Sequence, residues 1–266
     1  MMMTETKKRL APQNCPLCGE SQDIVVNGHI TSKDDPTVAL IQKDRGYSFC
    51  NCRNIFYTDW SNMKQGVYDA DYHKKYDTDN VQQMSRNIVA QYSAYIVENM
   101  PIRGDMFRRS ILDIGSITCS ILDCFVHLTY KTYGMDIHDH PFGNHELIVS
   151  DFETYDISKA PDKFSLIWAS HVIEHFKDPV AAIKKMRQMV CDGGLLFVAM
   201  PDTYFIDFGK PYKWGHWHLD EHHTLWGLED FCNLLNECGF DIIVKRHNPQ
   251  IDLICIGDMH ILAKAI

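Results

Sequence analysis

Short apolar runs alternate with helix-like segments from residue 109 onward, and this alternation constrains the fold more than any other feature. Alternating strands and helices are typical of a parallel sheet with helices on both faces, so we predict an α/β, doubly wound sheet. Helices are predicted at 117–128, 178–190 and 228–239. The last two strands follow each other closely and should be antiparallel. The predicted strands are SILDIG (110–115), TYGMDI (132–137), ELIVSD (146–151), SLIWAS (165–170), GLLFVAM (194–200), FDIIVKRH (240–247) and DMHILAKAI (258–266).

Acidic residues stand at the ends of the first three predicted strands. They are Asp113, Asp136 and Asp151. A sheet of this kind binds ligands beyond the carboxyl ends of its strands, and an acid at the end of the second strand suits the two hydroxyls of a ribose. One such residue is more often a helix cap or a solvated loop residue. Three at matching ends favour a nucleoside site, with the ring of Phe152 covering the base.

Four cysteines cluster near the N-terminus, apart from the single cysteines found later in the chain. Cys15 and Cys18 form a C-x-x-C knuckle followed by Gly19, and Cys50 and Cys52 form a C-x-C pair. Two such pairs predict a structural Zn²⁺ held by four thiolates, as in a zinc ribbon. The other interpretation is that the second pair is simply buried in a strand.

The pattern of cysteines, helical periodicity and strand-like runs divides the chain into three predicted parts. Residues 1–60 form the zinc-ribbon-like segment, 61–108 a helical connector or lid, and 109–266 the main α/β domain. Within the connector, apolar residues recur at helical spacing until Pro101. Its tyrosines either pack against the next domain or, for Tyr68, Tyr72 and Tyr76, line the mouth of a pocket.

Composition limits the classes of partner. The formal net charge is -9, which gives no general attraction to nucleic acid or anionic lipid. Neither an N-terminal secretory signal nor an apolar run of about 20 residues is present in the sequence, so we expect no membrane span and a cytoplasmic protein.

The motifs ILDIG, YGMDI, SDFETYD, FSLIWASHVIEHFKDP and CDGGLLFVAMPD resemble, in order and spacing, those of the class I S-adenosylmethionine-dependent methyltransferases. The cysteine knuckles followed by VYDADYHKKY resemble the front end of members that carry a small zinc ribbon, many of which act on sugars or small metabolites. The resemblance implies a Rossmann-like fold and S-adenosylmethionine as cofactor. It places Asp113 and Gly115 near the methionine part, Asp136 on the ribose, and Asp151 and Phe152 on the adenine. The full expected set adds Ser116, Ile137 and Ser170.

The turn after the first strand departs from the family pattern. Ile117 and Cys119 stand where the second and third glycines of G-x-G-x-G would be. A Cβ at the second position can collide with a ligand or forbid a positive φ. The sequence therefore leaves open a catalytically silent protein that uses this fold as a scaffold.

A second cluster, SHVIEHFKDP, contains most of the residues that we expect to catalyse the methyl transfer. His171 is the expected base, Glu174 orients it, and His175 or His222 contacts the acceptor. The expected acceptor is a small polar metabolite, methylated on oxygen. The cluster also resembles the metal site of the plant-type small-RNA 2′-O-methyltransferases. The acidic net charge argues against an RNA substrate. A third interpretation is that His175 caps a loop and the later histidines decorate an exposed lid.

Overall fold

The computed structural model describes most of the predicted α/β domain and part of the N-terminal segment. Tyr68, Tyr72 and Tyr76 lie outside the described residues, as do the rest of 61–77 and residues 102–108 of the connector. The described residues are 13–19, 21–22, 25–27, 46–58, 78–101, 109–117, 119–126, 131–139, 143–161, 163–207, 214–218, 221–248 and 257–266.

The secondary-structure elements follow the predicted order. The strands are β1 (Gln13–Asn14), β2 (Ser21–Gln22), β3 (Val25–Asn27), β4 (Gly46–Cys50), β5 (Ile55–Tyr57), β6 (Ser110–Ile114), β7 (Lys131–Asp136), β8 (Glu146–Val149), β9 (Phe164–Ser170), β10 (Val190–Pro201), β11 (Thr224–Leu225), β12 (Phe240–Asn248) and β13 (Asp258–Ala265). The α-helices are α1 (Asp79–Asn99), α2 (Ser120–Val126), α3 (Pro179–Met189) and α4 (Leu228–Glu237).

Seven strands form the central sheet in the order β12-β13-β10-β9-β6-β7-β8. The pairs from β10 to β8 are parallel, while β13 is antiparallel to both β10 and β12. The predicted Rossmann-like fold, with its mostly parallel sheet and an antiparallel last strand, is therefore confirmed. Because β13 runs in reverse, its first residue lies at the edge where the parallel strands end.

Local sequence signals begin the helices that cover the sheet. The side chain of Thr78 accepts from the Val81 amide at the start of α1, and Asp178 does the same for the Ala181 amide at the start of α3. Tyr92 of α1 then packs on Phe197 of β10 with ring centroids 4.9 Å apart. Among the described residues, no helix is both long and apolar enough to cross a bilayer.

The N-terminal segment forms a small sheet that is completed from the far end of the chain. Its strand order is β11-β5-β4-β3, and β11 pairs with β5 through Thr224↔Tyr57 and Leu225↔Phe56. The turn between β4 and β5 contains Asn54 at φ 48°, a left-handed conformation that asparagine tolerates well. The segment and the α/β domain thus share one sheet.

Candidate functional site

The three predicted acids lie at one edge of the central sheet. Asp113 is near the end of β6, Asp136 is the last residue of β7, and Asp151 follows β8. These strands are neighbours, so their carboxyl ends meet in one place. Asp113 and Asp136 are buried, whereas Asp151 is exposed.

Burial changes the acidity of Asp113. It raises the pKa of this carboxyl to about 7, with a smaller opposing effect from a hydrogen bond of Ser116 and a further increase from the charge of Asp136. A carboxyl at the sheet edge with such a pKa is poised to ionise when a cation approaches it.

The turn after β6 adopts its sharp bend with fewer glycines than the family pattern. Gly115 has φ +75° and donates to the carbonyl of Met135, and Ser116 donates to the same carbonyl at 3.3 Å. Ile117 keeps a negative φ, so its side chain imposes no left-handed strain. Cys119 takes the left-handed conformation at φ 54°. The left-handed strain expected of the glycine-poor turn is therefore at Cys119, the third glycine position of the family pattern, and not at Ile117, the second.

The remaining residues of the expected cofactor set differ in their exposure. Ile137 is one of the exposed large apolar side chains, and Ser170 is half-buried at the end of β9. The carboxylate of Asp151 accepts from the Glu153 amide at 2.8 Å. The ring of Phe152 is stacked on Phe176, with centroids 5.6 Å apart, and lies in the hydrophobic core instead of at an open face.

His171 follows β9 directly and has a strained backbone. Its φ is 51°, and its amide donates to the carbonyl of Ala199 at 2.8 Å. A non-glycine residue held in this region costs about 1–3 kcal/mol, and such residues concentrate at functional sites. The ring lies between two carboxylates: Nδ1 is 3.4 Å from Glu174 and Nε2 is 3.3 Å from Asp258.

Glu174 is fully buried beside three histidines. Within the described part of the chain, neither oxygen of its carboxylate has a well-formed hydrogen bond. Burial alone would favour the neutral acid, but the nearby His175 and His171 hold the pKa of Glu174 below its ordinary value. A buried carboxylate surrounded by imidazoles is the arrangement expected of a proton-transfer or metal site.

Two further histidines have defined tautomers. His175 donates from Nδ1 to the carbonyl of Glu221 at 2.7 Å, and His222 donates from Nδ1 to the carbonyl of His216 at 2.9 Å. Because a carbonyl oxygen only accepts, Nδ1 carries a proton in each ring, and the His175 Nε2 lies 3.8 Å from Glu174. Burial, with the adjacent charges of His175, His218 and His216, holds the pKa of His222 well below its usual value. The ring of His222 is thus neutral near pH 7.

Asp258 and His216 join this cluster, although neither belongs to the predicted site set. The His216 Nε2 lies 3.0 Å from Asp258, and both side chains are buried. His171 and His216 overcome the effect of burial and lower the pKa of Asp258. The antiparallel direction predicted for the last strand is the signal that points to Asp258, because it brings the first residue of that strand to the functional edge.

The four N-terminal cysteines converge as predicted. Cys15 Sγ lies 3.7 Å from Cys52 Sγ, and Cys18 Sγ lies 3.7 Å from Cys50 Sγ. These distances exclude disulfides at about 2.05 Å. They match the separation of about 3.8 Å between thiolates at 2.3 Å from a tetrahedral Zn²⁺. The donor set and its geometry therefore fit a structural zinc ion.

Two other groups among the described residues bring ligand atoms within 4.8 Å of one another. One contains His171, His216 and Asp258, and the other contains Glu174, His175 and His222. They are adjacent because His171 contacts Glu174. Imidazole and carboxylate donors of this kind can bind a divalent transition ion.

Comparisons with known proteins identify the family and the fold of this chain. The profile of a family described as "Methyltransferase domain" matches residues 74–245. A comparison with curated proteins gave no match. Among solved structures, a chain of the complex between the Haloferax volcanii Trm112 methyltransferase activator and a methyltransferase is 12% identical, with 75% of this chain and 99% of that chain covered and a TM-score of 0.51.

Two further solved structures are similar in fold. The N-methyltransferase NodS from Bradyrhizobium japonicum WM9, in complex with S-adenosyl-L-homocysteine, is 12% identical over 77% of this chain and 97% of its own, with a TM-score of 0.50. An S-adenosylmethionine-dependent methyltransferase from Clostridium acetobutylicum ATCC 824 is 14% identical over 72% and 94%, with a TM-score of 0.50.

Proposed function

Because this chain belongs to the methyltransferase-domain family and is an S-adenosylmethionine-dependent enzyme, we propose that it methylates a hydroxyl oxygen of a small polar metabolite such as a sugar or sugar-nucleotide. The observation that carries the proposal is the cluster of imidazoles and carboxylates that follows β9. It stands beside the strand ends where the family binds its cofactor.

The cofactor side of the proposed site uses the acids along the sheet edge. Asp113 and Gly115, with Ser116, face the methionine part, and Asp136 with Ile137 holds the ribose. Asp151 binds the adenine, while Phe152, whose ring packs on Phe176 in the core, supports this loop instead of covering the base. Ser170 ends β9 between this row and the histidine cluster. The negative φ of Ile117 supports an intact turn, because no left-handed strain arises at the second glycine position.

The acceptor side needs alignment and the removal of one proton. The carbon–sulfur bond of the sulfonium breaks as the carbon–oxygen bond to the acceptor forms, and the hydroxyl proton passes to His171. The two carboxylates beside His171 stabilise the imidazolium that results. His175 and His222 contact the acceptor through their Nε2 atoms, and Glu174 orients the cluster.

The net charge of -9 favours a small acceptor over a polyanion. One observation favours a second candidate, a metal-assisted methyl transfer to a ribose 2′-hydroxyl of RNA. The ligand atoms of Glu174, His175 and His222 lie within 4.8 Å of one another, close enough to share an ion. Such an ion would polarise the acceptor hydroxyl.

A transfer assay with a radiolabelled methyl donor distinguishes the two candidates. Purified protein is incubated with a panel of sugars and nucleoside-diphosphate sugars and, separately, with a short RNA duplex, each with and without added Mn²⁺. We expect label in a sugar-containing product and no requirement for Mn²⁺. Label in RNA only when Mn²⁺ is present would favour the second candidate. A protein that binds S-adenosylhomocysteine but labels nothing in the panel would overturn the proposed acceptor class.

A further inference from the structure

The N-terminal cysteines lie on a hairpin that holds part of the proposed acceptor site in place. We call β4, β5 and the turn between them the cysteine hairpin, and residues 214–218 and 221–226 the histidine segment. The histidine segment provides His216 and His222. We propose that the cysteine hairpin is a positioning element of the acceptor site, so that metal binding to its thiols governs whether His222 is held in its catalytic place. This inference rests on the proposed function of the histidine cluster.

Tyr47 makes the central contact between the two elements. Its side chain is fully buried, and its hydroxyl lies 2.9 Å from the carbonyl of His222 and 3.2 Å from that of His218. The ring also packs edge-on against Trp217, with centroids 4.7 Å apart. One side chain of the hairpin therefore fixes the backbone on both sides of the turn that leads to His222.

The backbone of the hairpin makes a second, separate contact. β11 pairs with β5 immediately after His223, and the Thr58 amide donates to the His223 carbonyl at 3.0 Å. The histidine segment thus continues the small N-terminal sheet as its edge strand. Its position follows from the position of β5.

The opposite side of the histidine segment contacts the catalytic turn. The His223 amide donates to the Glu174 carbonyl at 2.7 Å, and the Glu221 carbonyl accepts from the ring of His175 at 2.7 Å. Displacement of the segment would therefore remove His222 and release the ring of His175 from its partner. The acids Asp113 and Asp136 are on β6 and β7, which do not pair with the hairpin.

The thiols fix the far end of the hairpin. Cys50 is the last residue of β4, and Cys52 is in the turn, where their sulfurs approach Cys18 and Cys15. The same turn is attached to α4 by a bidentate ion pair of Arg53 with Glu237. A metal ion shared by the four thiols would close this turn and hold the register of β4 and β5. Its loss would loosen the strands that carry Tyr47 and Thr58.

The test measures the accessibility of His222 and needs no acceptor. The full-length protein is treated with diethyl pyrocarbonate at pH 7, and carbethoxylation of each histidine is followed by peptide mass spectrometry. His138, which is outside the histidine segment, gives the reference rate. We expect His222 to react slowly in the parent and about tenfold faster in Tyr47→Phe, because that variant keeps the ring but loses both hydroxyl contacts. Calorimetric affinity for S-adenosylhomocysteine should stay within about twofold.

Tyr92→Phe is the matched control. Tyr92 is another fully buried tyrosine, and its hydroxyl has no hydrogen-bond partner among the described residues, so its loss should leave the reactivity of His222 unchanged. Removal of the metal from the parent with a chelator should reproduce the effect of Tyr47→Phe. Added Zn²⁺ should reverse it in the parent but not in Cys15→Ser, which separates the thiols from the ligand atoms of Glu174, His175 and His222. The reversal also tests the inference if Tyr47→Phe fails to fold.

Unchanged protection of His222 after metal removal would overturn the inference, as would a protein purified without metal in which His222 is already protected. A parallel loss of S-adenosylhomocysteine affinity would also overturn it, since it would indicate general unfolding. Failure of the parent to bind S-adenosylhomocysteine would instead contradict the proposed function, and the histidine reactivities would still decide the role of the hairpin.

Discussion

At the scale of single residues, His171 combines a strained backbone with a ring set between two carboxylates. We expect His171→Ala to lower turnover by about 10²-fold or more, the effect of losing a general base, without changing the affinity for S-adenosylhomocysteine. The measurement is turnover with the acceptor identified by the transfer assay. Activity within about threefold of the parent would exclude His171 as the base.

His145→Gln provides the control for that substitution. The His145 ring contacts Thr132 and Asp123 near the other end of β7, so its loss leaves the histidine cluster intact. Turnover of the folded control should match the parent. A comparable loss in both variants would indicate a general effect of removing a buried imidazole.

The raised pKa of Asp113 predicts that the affinity for the cofactor depends on pH. Burial raises its pKa to about 7, so below that pH the carboxyl is mostly protonated in the free protein. If it ionises to pair with the ammonium of the methionine part, binding releases a proton and tightens as the pH rises through 7. Calorimetry with S-adenosylhomocysteine should show up to about tenfold higher affinity at pH 8 than at pH 6.

Asp113→Asn should abolish that dependence, because an amide does not ionise in this range. The Asp136 carboxylate adds to the raised pKa of Asp113, so its charge is part of the same effect. A pH profile that is equally steep in the parent and in Asp113→Asn would mean that another group releases the proton.

Residues at strand ends were the part of the site that sequence could predict. The edge at which Asp113, Asp136 and Asp151 meet follows from parallel pairing alone. The position of Phe152 does not, because it lies in a loop where no periodicity distinguishes a core ring from an open one. Its packing on Phe176 depends on the fold of that loop, in which the carbonyls of Phe152 and Glu153 accept from Lys185 of α3.

At the scale of elements, the knuckle, β4 and β5 bring four thiols to one point. We expect one equivalent of Zn²⁺ in protein purified without chelator, and its loss in Cys15→Ser. Elemental analysis by mass spectrometry is the measurement. Cys124→Ser is the control, because Cys124 lies on α2 and its thiol contacts the carbonyl of Ser120. Full zinc content in Cys15→Ser would contradict a four-thiolate site.

The direction of β13 explains why Asp258 lies in the histidine cluster, a position that the sequence did not reveal. Its antiparallel orientation was predicted from the nearness of the last two strands, but the role of its first residue was not. Asp258 pairs opposite Pro201, and this register brings it to His171 and His216. A carboxylate at the start of a strand resembles any loop residue until the register is known.

At the scale of the whole molecule, the order of elements could be predicted and the long-range pairing could not. Local periodicity identifies each strand of the central sheet, and the rules for parallel sheets place their ends together. Nothing local in TLW or IFY indicates that β11 pairs with β5. Such a pairing depends on the tertiary fold, which sets the two short strands side by side.

The junction between β5 and β11 also has a consequence for synthesis of the chain. Tyr47 leaves the ribosome early, but its partner His222 follows 175 residues later. Until then the edge of β5 lacks its strand partner, and an open edge invites pairing with other chains. Early capture of a metal ion by the thiols would shape the hairpin before its partner exists. The last strand of the small sheet is then added only after most of the central sheet has been made.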